Sequence, residues 1–106
     1  MNYQQARIRA DILKALSHPA RILIVQALAT GDACVSDLNR LIKLDQSGIS
    51  RHLAVLQKAG IVTERRIHNR AIQHLQTPGI LAAIMSAATV LKDETRRRLA
   101  VLQNEK

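Results

Sequence analysis

Apolar residues recur at helical spacing through most of the chain and give way once to a short strand-like stretch. Ile8, Ile12, Leu13 and Leu16 stand close to the i, i+4 interval, which predicts a first helix from about Gln4 to Leu16. Ser17-His18-Pro19 follows as a cap and a proline, an order that suits a helix start because proline has no N–H to leave unpaired there. The second helix carries Ile22, Leu23, Val25 and Leu28 as its expected core residues. Gly31 breaks the pattern, and Val35, Leu38, Leu41 and Ile42 mark a short third helix, with Cys34 and Asp37 at the spacing of a capping box. Three residues, Lys43 to Asp45, lead to a fourth helix beginning at Gln46, with Asp45 as its N-cap.

In the fourth helix Ile49, Leu53 and Leu56 lie at i, i+4 and i+7 and share one face. That phase turns Gln46, Ser47, Ser50 and Arg51 to solvent. Gly60 ends the helix, Ile61 to Ile67 reads as a strand, His68-Asn69-Arg70 as a turn, and about Ala71 to Gln76 as a return strand. Thr77 and Pro78 open a last helix as cap and first residue. Its first half is apolar on nearly every side, including Ile80, Leu81, Ile84, Met85, Ala88 and Leu91. A chain this short has too little core to cover all of those faces, so the surplus predicts an interface between two copies, continued by Leu99 and Leu102. Ile8 and Ile12 on the amphipathic first helix are expected to join it. The fold class is therefore mostly α with a small β-hairpin: four helices, two strands and a closing helix. Two short helices joined by a tight turn and followed by a hairpin make a winged helix-turn-helix, in one domain spanning residues 1–106.

Composition narrows the partner. Lys and Arg number 16 against 8 acidic residues, a formal net charge of +8, which is the balance of a protein that meets a polyanion. Between Leu38 and Leu75 the bases Arg40, Lys43, Arg51, Lys58, Arg65, Arg66 and Arg70 face only Asp45 and Glu64, so the charge gathers on the predicted helix-turn-helix and hairpin. Gln pairs two edges of adenine, Arg pairs two acceptors of guanine, and Ser reaches bases or phosphates, so the solvent face of the fourth helix is suited to reading a DNA major groove. Arg65, Arg66 and Arg70 on the hairpin suit phosphates or a neighbouring minor groove.

The same inventory argues against other functions. The four glycines form no phosphate-binding loop, and no nucleophile with its base or paired carboxylates stand out, so an enzyme is not expected. Cys34 is the single cysteine, which removes intramolecular disulfides and multi-cysteine metal sites within one chain. The four histidines, His18, His52, His68 and His74, show no metal-ligand spacing. No cofactor and no metal are expected, and Cys34 reads as a capping or buried residue before it reads as a thiol sensor. The longest apolar run, residues 80 to 91, falls short of the roughly 20 needed to span a bilayer. A cytoplasmic location is therefore expected.

Leu16-Ser17-His18-Pro19-Ala20-Arg21, the run Gln46-Ser47-Gly48-Ile49-Ser50-Arg51-His52-Leu53, and Leu56-Gln57-Lys58-Ala59-Gly60-Ile61-Val62 together resemble the ArsR/SmtB family of winged-helix repressors over nearly the whole chain. The resemblance implies a homodimer joined through its first and last helices, an inverted-repeat operator in double-stranded DNA, and release by an inducer that the residues do not identify. Carried over by position, it puts Ser47, Ser50, Arg51 and His52 on DNA and Arg70 on the wing. The chain departs from the metal-sensing pattern: Cys34-Val35-Ser36-Asp37-Leu38 has one of the family's two thiols on the third helix, and Pro78 to Lys106 has no histidine. His52 beside the Ile49 and Leu53 face is open to packing as well as to a phosphate bond. Arg96, Arg97 and Arg98 read as a solvated helix end before they read as DNA contacts. The competing function is a winged-helix module for protein partners or for nucleic acid without sequence preference.

Overall fold

The computed structural model describes residues 1–103, the side chain of Gln46 excepted. Its elements run α1 (Tyr3–Leu16), α2 (Pro19–Ala29), β1 (Ala33–Cys34), α3 (Val35–Ile42), α4 (Gln46–Lys58), β2 (Val62–Ile67), β3 (Arg70–Leu75) and α5 (Gly79–Gln103). The winged helix-turn-helix expected from the sequence is present. The hairpin, however, is part of a three-stranded antiparallel sheet in the order β1-β3-β2. Two residues are too few to show alternation, and β1 exists through its distant pairs, Ala33 with Gln73 and Cys34 with Ile72.

Local chemistry sets the element ends. Asn2 and Gln5 cap α1 reciprocally, each side chain accepting from the other's backbone N–H. His18 caps α2, its Nδ1 accepting from the Ala20 N–H at 3.0 Å, with Pro19 in the first turn. The helix-turn-helix connection turns on Lys43, which sits in the left-handed region at φ 61° and donates its N–H to the Asn39 carbonyl at 2.8 Å. Past the end of α4, Gly60 takes φ 80°, and two bonds close a Schellman motif: Gly60 N–H to Gln57 O, and Ile61 N–H to Leu56 O, both 3.0 Å. The hairpin turn is His68-Asn69, with φ 49° and 64°, the two positive values a tight hairpin needs. Arg70 already belongs to the return strand, opposite Ile67. α5 starts at Gly79, one residue later than expected, behind a tight turn in which the Ile80 N–H donates to the Thr77 carbonyl at 3.0 Å.

Ile24, Val25, Leu28, Leu38, Ile49, Leu53, Leu56, Ile61, Val62 and Leu75 form the buried core with Ala15 and Leu16. The second helix contributes differently than expected: Ile24 is fully buried, whereas Leu23 is 45% exposed and Ile22 half-buried. Four consecutive apolar residues do not reveal a helix's phase, and the buried set Ala20, Ile24, Val25 and Leu28 shows which face packing selects. Ile12, Leu81 and Ile84 lean against this core, while Ile8, Met85, Ala88 and Leu91 face solvent. Only the start of α5 is thus engaged. With 25 residues the helix runs for about 37 Å, which explains a radius of gyration of 17.3 Å against about 13 Å for a compact chain of this length.

Two substitutions test the backbone argument in opposite directions. Gly60→Ala forces a side chain into a left-handed position and is expected to lower stability by about 1 kcal/mol or more. Lys43→Gly relieves the same strain and is expected to raise it by up to about 1 kcal/mol. Urea midpoints that move together, or not at all, would show that these conformations are not what holds the two turns.

Candidate nucleic-acid interface

The first turn of α4 is built around Asp45. Its Oδ1 accepts the Gly48 N–H at 2.8 Å, and its Oδ2 accepts from the Ser47 hydroxyl at 3.1 Å. A Cβ at position 48 would lie 2.6 Å from that carboxylate oxygen, so a side chain there would push the cap aside. Ile49, Leu53 and Leu56 are buried, which turns Ser47, Ser50 and Arg51 outward as the periodicity predicted. Gln46 opens the helix, and its side chain lies outside the described residues. The exposed turn therefore presents hydroxyls and a forked guanidinium, side chains that match base edges and phosphates.

His52, expected either to pack or to bind phosphate, is half-buried and held from one side by the protein. Arg21 Nε–H donates to its Nδ1 at 3.2 Å, and its ring lies against His18 with centroids 4.3 Å apart, tilted by 43°. Arg21 also donates from Nη1 to the Lys14 and Ala15 carbonyls at 3.4 and 3.2 Å, so one guanidinium joins the end of α1 to α4. Burial holds the His52 pKa below its ordinary value, reinforced by the charges of His18, Arg21 and Arg51. The neutral ring that results accepts at Nδ1 and carries its proton on Nε2. Position 52 is too far from 18 and 21 in the chain for spacing to have signalled this cluster.

The wing arginines divide between two faces of the hairpin. Arg65 stands opposite Ile72 and Arg70 opposite Ile67, on one face; Arg66 stands opposite Ala71 on the other, which also carries Val62 and Leu75 into the core. Arg66 Nη1 donates to the Asn69 carbonyl at 3.2 Å. Arg70 reaches back to α3, with Nη2 2.9 Å from Cys34 Sγ and 3.9 Å from Asp37 Oδ2. The remaining contacts of Cys34 are Asp37 Oδ2 at 3.0 Å and Ser36 Oγ at 3.1 Å, and its backbone N–H donates to Asp37 at 3.3 Å, the expected capping contact. The Asp37 carboxylate has the largest influence on the thiol and pushes its pKa up, but Ser36, the Asp37 backbone and Arg70 outweigh it and burial, and the net displacement is downward. Asp37 is itself held below the usual carboxylate range by its bonds to Cys34 and by Arg40, with which it also forms an ion pair. Among the described residues no three His, Cys, Asp or Glu side chains cluster as metal ligands, and no single helix is long and apolar enough to cross a membrane.

Sequence reasoning missed one further set of residues. Gln73 is fully buried in the central strand, where it accepts from Gln57 Nε2 and donates to Glu64 Oε1, both at 2.8 Å. Only the alternation of Ala71, Gln73 and Leu75 on the inward face of β3 hinted at its burial.

Comparison with known proteins places this geometry. Residues 18–64 match the family model described as bacterial regulatory protein, arsR family. The uncharacterized HTH-type transcriptional regulator Rv0081 of Mycobacterium tuberculosis is 35% identical over 99 residues, covering 92% of this chain and 87% of that protein. Its crystal structure superposes with a TM-score of 0.77 at 32% identity, over 92% of this chain and 99% of the other. The transcriptional repressor BigR from Xylella fastidiosa superposes with a TM-score of 0.70 at 31% identity, over 79% of this chain and 89% of the other.

The state of His52 makes a prediction about pH. A histidine whose folded pKa is depressed leaves the unfolded chain binding more protons, so its contribution is intact above the ordinary value of about 6.5 and is lost as pH falls toward the folded value. Stability measured by urea unfolding is expected to fall between pH 7 and 5.5. His52→Asn, which keeps an acceptor for Arg21 and cannot titrate, is expected to flatten that slope. An unchanged slope would place the titration elsewhere.

Proposed function

The chain belongs to the arsR family of bacterial regulatory proteins, and we propose that this DNA-binding transcriptional repressor acts as a homodimer on an inverted-repeat operator, from which an inducer releases it. The carrying observation is the division of α4 into a fully buried apolar face and an exposed turn of Ser47, Ser50 and Arg51, set beside a hairpin bearing Arg65, Arg66 and Arg70. In this reading Gln46, Ser47, Ser50 and Arg51 meet base edges and nearby phosphates. His52 offers Nε2–H to the backbone from its fixed position, and the wing arginines neutralise phosphates. One domain, residues 1–106, supplies both DNA binding and dimerisation, and the site of action is the cytoplasmic nucleoid.

Dimerisation rests on the surface that one copy leaves open. Ile8 is 56% exposed, Met85 57% and Leu91 68%, and Val90, Leu99 and Leu102 extend the same apolar helix. A second copy covers such a face by symmetry, with residue i on one chain meeting j on the other. Ile12, Leu81 and Ile84 pack on their own core and reach the interface from its base. No catalytic role enters this reading, and the relatives named above are regulators.

Two experiments test it. Leu91→Asp puts a carboxylate on the exposed part of α5, away from the core, and is expected to halve the sedimenting mass at micromolar concentration while the helical signal of the domain survives. A dimer of unchanged stability would remove α5 from the interface. On duplexes selected from a random pool, Arg51→Ala is expected to erode discrimination against unrelated DNA by about 1–3 kcal/mol. Arg66→Ala is expected to weaken all sequences alike and reduce the salt slope by about 1. Equal effects of the two on specific and random DNA would defeat the assignment of reading to α4 and anchoring to the wing.

A further inference from the structure

Gln73 is the single buried polar residue among the described side chains of an otherwise apolar core. Its two hydrogen bonds go to different elements. The carbonyl oxygen accepts from Gln57, one residue before the end of α4, and the amide nitrogen donates to Glu64, its cross-strand partner on β2. Both partners reach solvent, Gln57 half-buried and Glu64 exposed, so neither needs Gln73 to escape an unsatisfied burial. An apolar side chain of the same length would fill the same volume without a polar group to desolvate. What it would not supply is direction: Glu64, on the same hairpin, orients the amide, and the bond from Gln57 then holds the end of α4 to it. Closer to the chain's core the same face is held by Val62 and Leu75, which slide easily; toward the tip it carries Arg66 opposite Ala71. The polar bridge thus stands between the packed base of the wing and its tip, on the face opposite the Arg70 contacts with Cys34 and Asp37. It also ties down Glu64, the sole acid of β2 and β3, on the α4 side of the hairpin.

We propose that Gln73 is a positioning residue that fixes the angle of the wing on α4, so that the wing arginines and the leading turn of α4 engage one duplex together. The proposal rests on the DNA-binding reading above. Gln73 touches no DNA in it; it acts through Gln57 and Glu64. A wing free to swing still carries its charge, but it must be ordered on binding, and that cost falls on affinity and on the number of phosphates held at once.

The test uses the full-length chain and a duplex enriched from a random-sequence pool by the unaltered protein. Gln73→Met keeps length and volume and deletes both bonds. It is expected to leave the dimer and cooperative unfolding intact, weaken binding by about tenfold, and reduce the slope of log affinity against log salt by about one to two phosphates. Gln57→Leu, on the half-exposed side of α4, is expected to reproduce the loss of slope and serves if Gln73→Met does not fold. Arg66→Ala added to either variant is expected to cost much less than it does alone, since the wing is already disengaged. Binding and salt slope equal to those of the unaltered protein, or full additivity with Arg66→Ala, would overturn the positioning role while leaving the DNA-binding reading in place. Loss of thermal stability with an unchanged salt slope would overturn it as well, in favour of plain structural support. If the unaltered protein enriches no sequence and binds with no salt dependence, both readings fall together.

Discussion

Ile49 and Leu56 lose all contact with solvent, Leu53 nearly all, and the burial of these three side chains against Ile24, Val25, Leu28 and Leu38 fixes the rotation of α4 about its axis. Turning the helix by one residue, about 100°, would expose them at a cost of about 5 kcal/mol or more, a large part of the stability of a domain this size. No polar contact on the surface competes with that. The exposure of Ser47, Ser50 and Arg51 is therefore a consequence of core packing, and a substitution that loosens the core also disorders that exposed turn. Asp45 and Gly60 mark where the helix begins and ends, and Arg21 pins its first half to α1 through His52.

The sheet makes a second rigid unit, joined to α4 in a different way. Val62 and Leu75 anchor its base by burial, while Gln57, Gln73 and Glu64 join helix and hairpin by directed bonds farther out. Burial resists separation but tolerates sliding; hydrogen bonds resist both at short range. The two kinds of contact are placed in the order a lever requires, packing at the hinge and direction along the arm. Arg70 adds a tether from the opposite face of the wing to Cys34 on β1 and Asp37 on α3, so the hairpin is held from both sides.

Helices, several of their caps and the exposed face of α4 were legible in the sequence because each depends on spacing within about four residues. Asp45, Gly60 and the triad Ile49, Leu53, Leu56 stand where local rules put them. The features that escaped notice are long-range. β1 is defined by a partner forty residues away in round terms, and the phase of Ile22 to Val25 is ambiguous until other helices choose a face. The contacts of His52 with Arg21 and His18, and those of Gln73 with Gln57 and Glu64, join side chains with no pattern in common, and polar residues at core positions carry no periodic signal of their own. Exposed apolar residues on α5 were legible as a surplus, although the sequence did not separate Leu81 and Ile84, which lean on the chain's own core, from Met85 and Leu91, which do not.

That last distinction bears on release. In the proposed dimer the distance between the two α4 helices is set by how α5 and α1 cross their symmetry mates, since each α4 is locked to its own α1 through Arg21 and His52. Ile12, Leu81 and Ile84 touch both the core and the base of that interface, so a shift at the interface cannot stay local in a close-packed interior. Under the proposed function, an inducer then has no need to reach the exposed turn of α4. It has to bind one crossing geometry better than the other, and moving a two-state balance from mostly bound to mostly released takes about 5.5 kcal/mol of differential affinity, or less where the starting bias is smaller. An extended helix pair with an apolar, adaptable surface is well suited to hold two such geometries, because leucine and methionine contacts exchange partners at little cost, whereas the directed bonds around Gln73 and His52 would keep each unit of α4 and hairpin unchanged as the proposed pair moves.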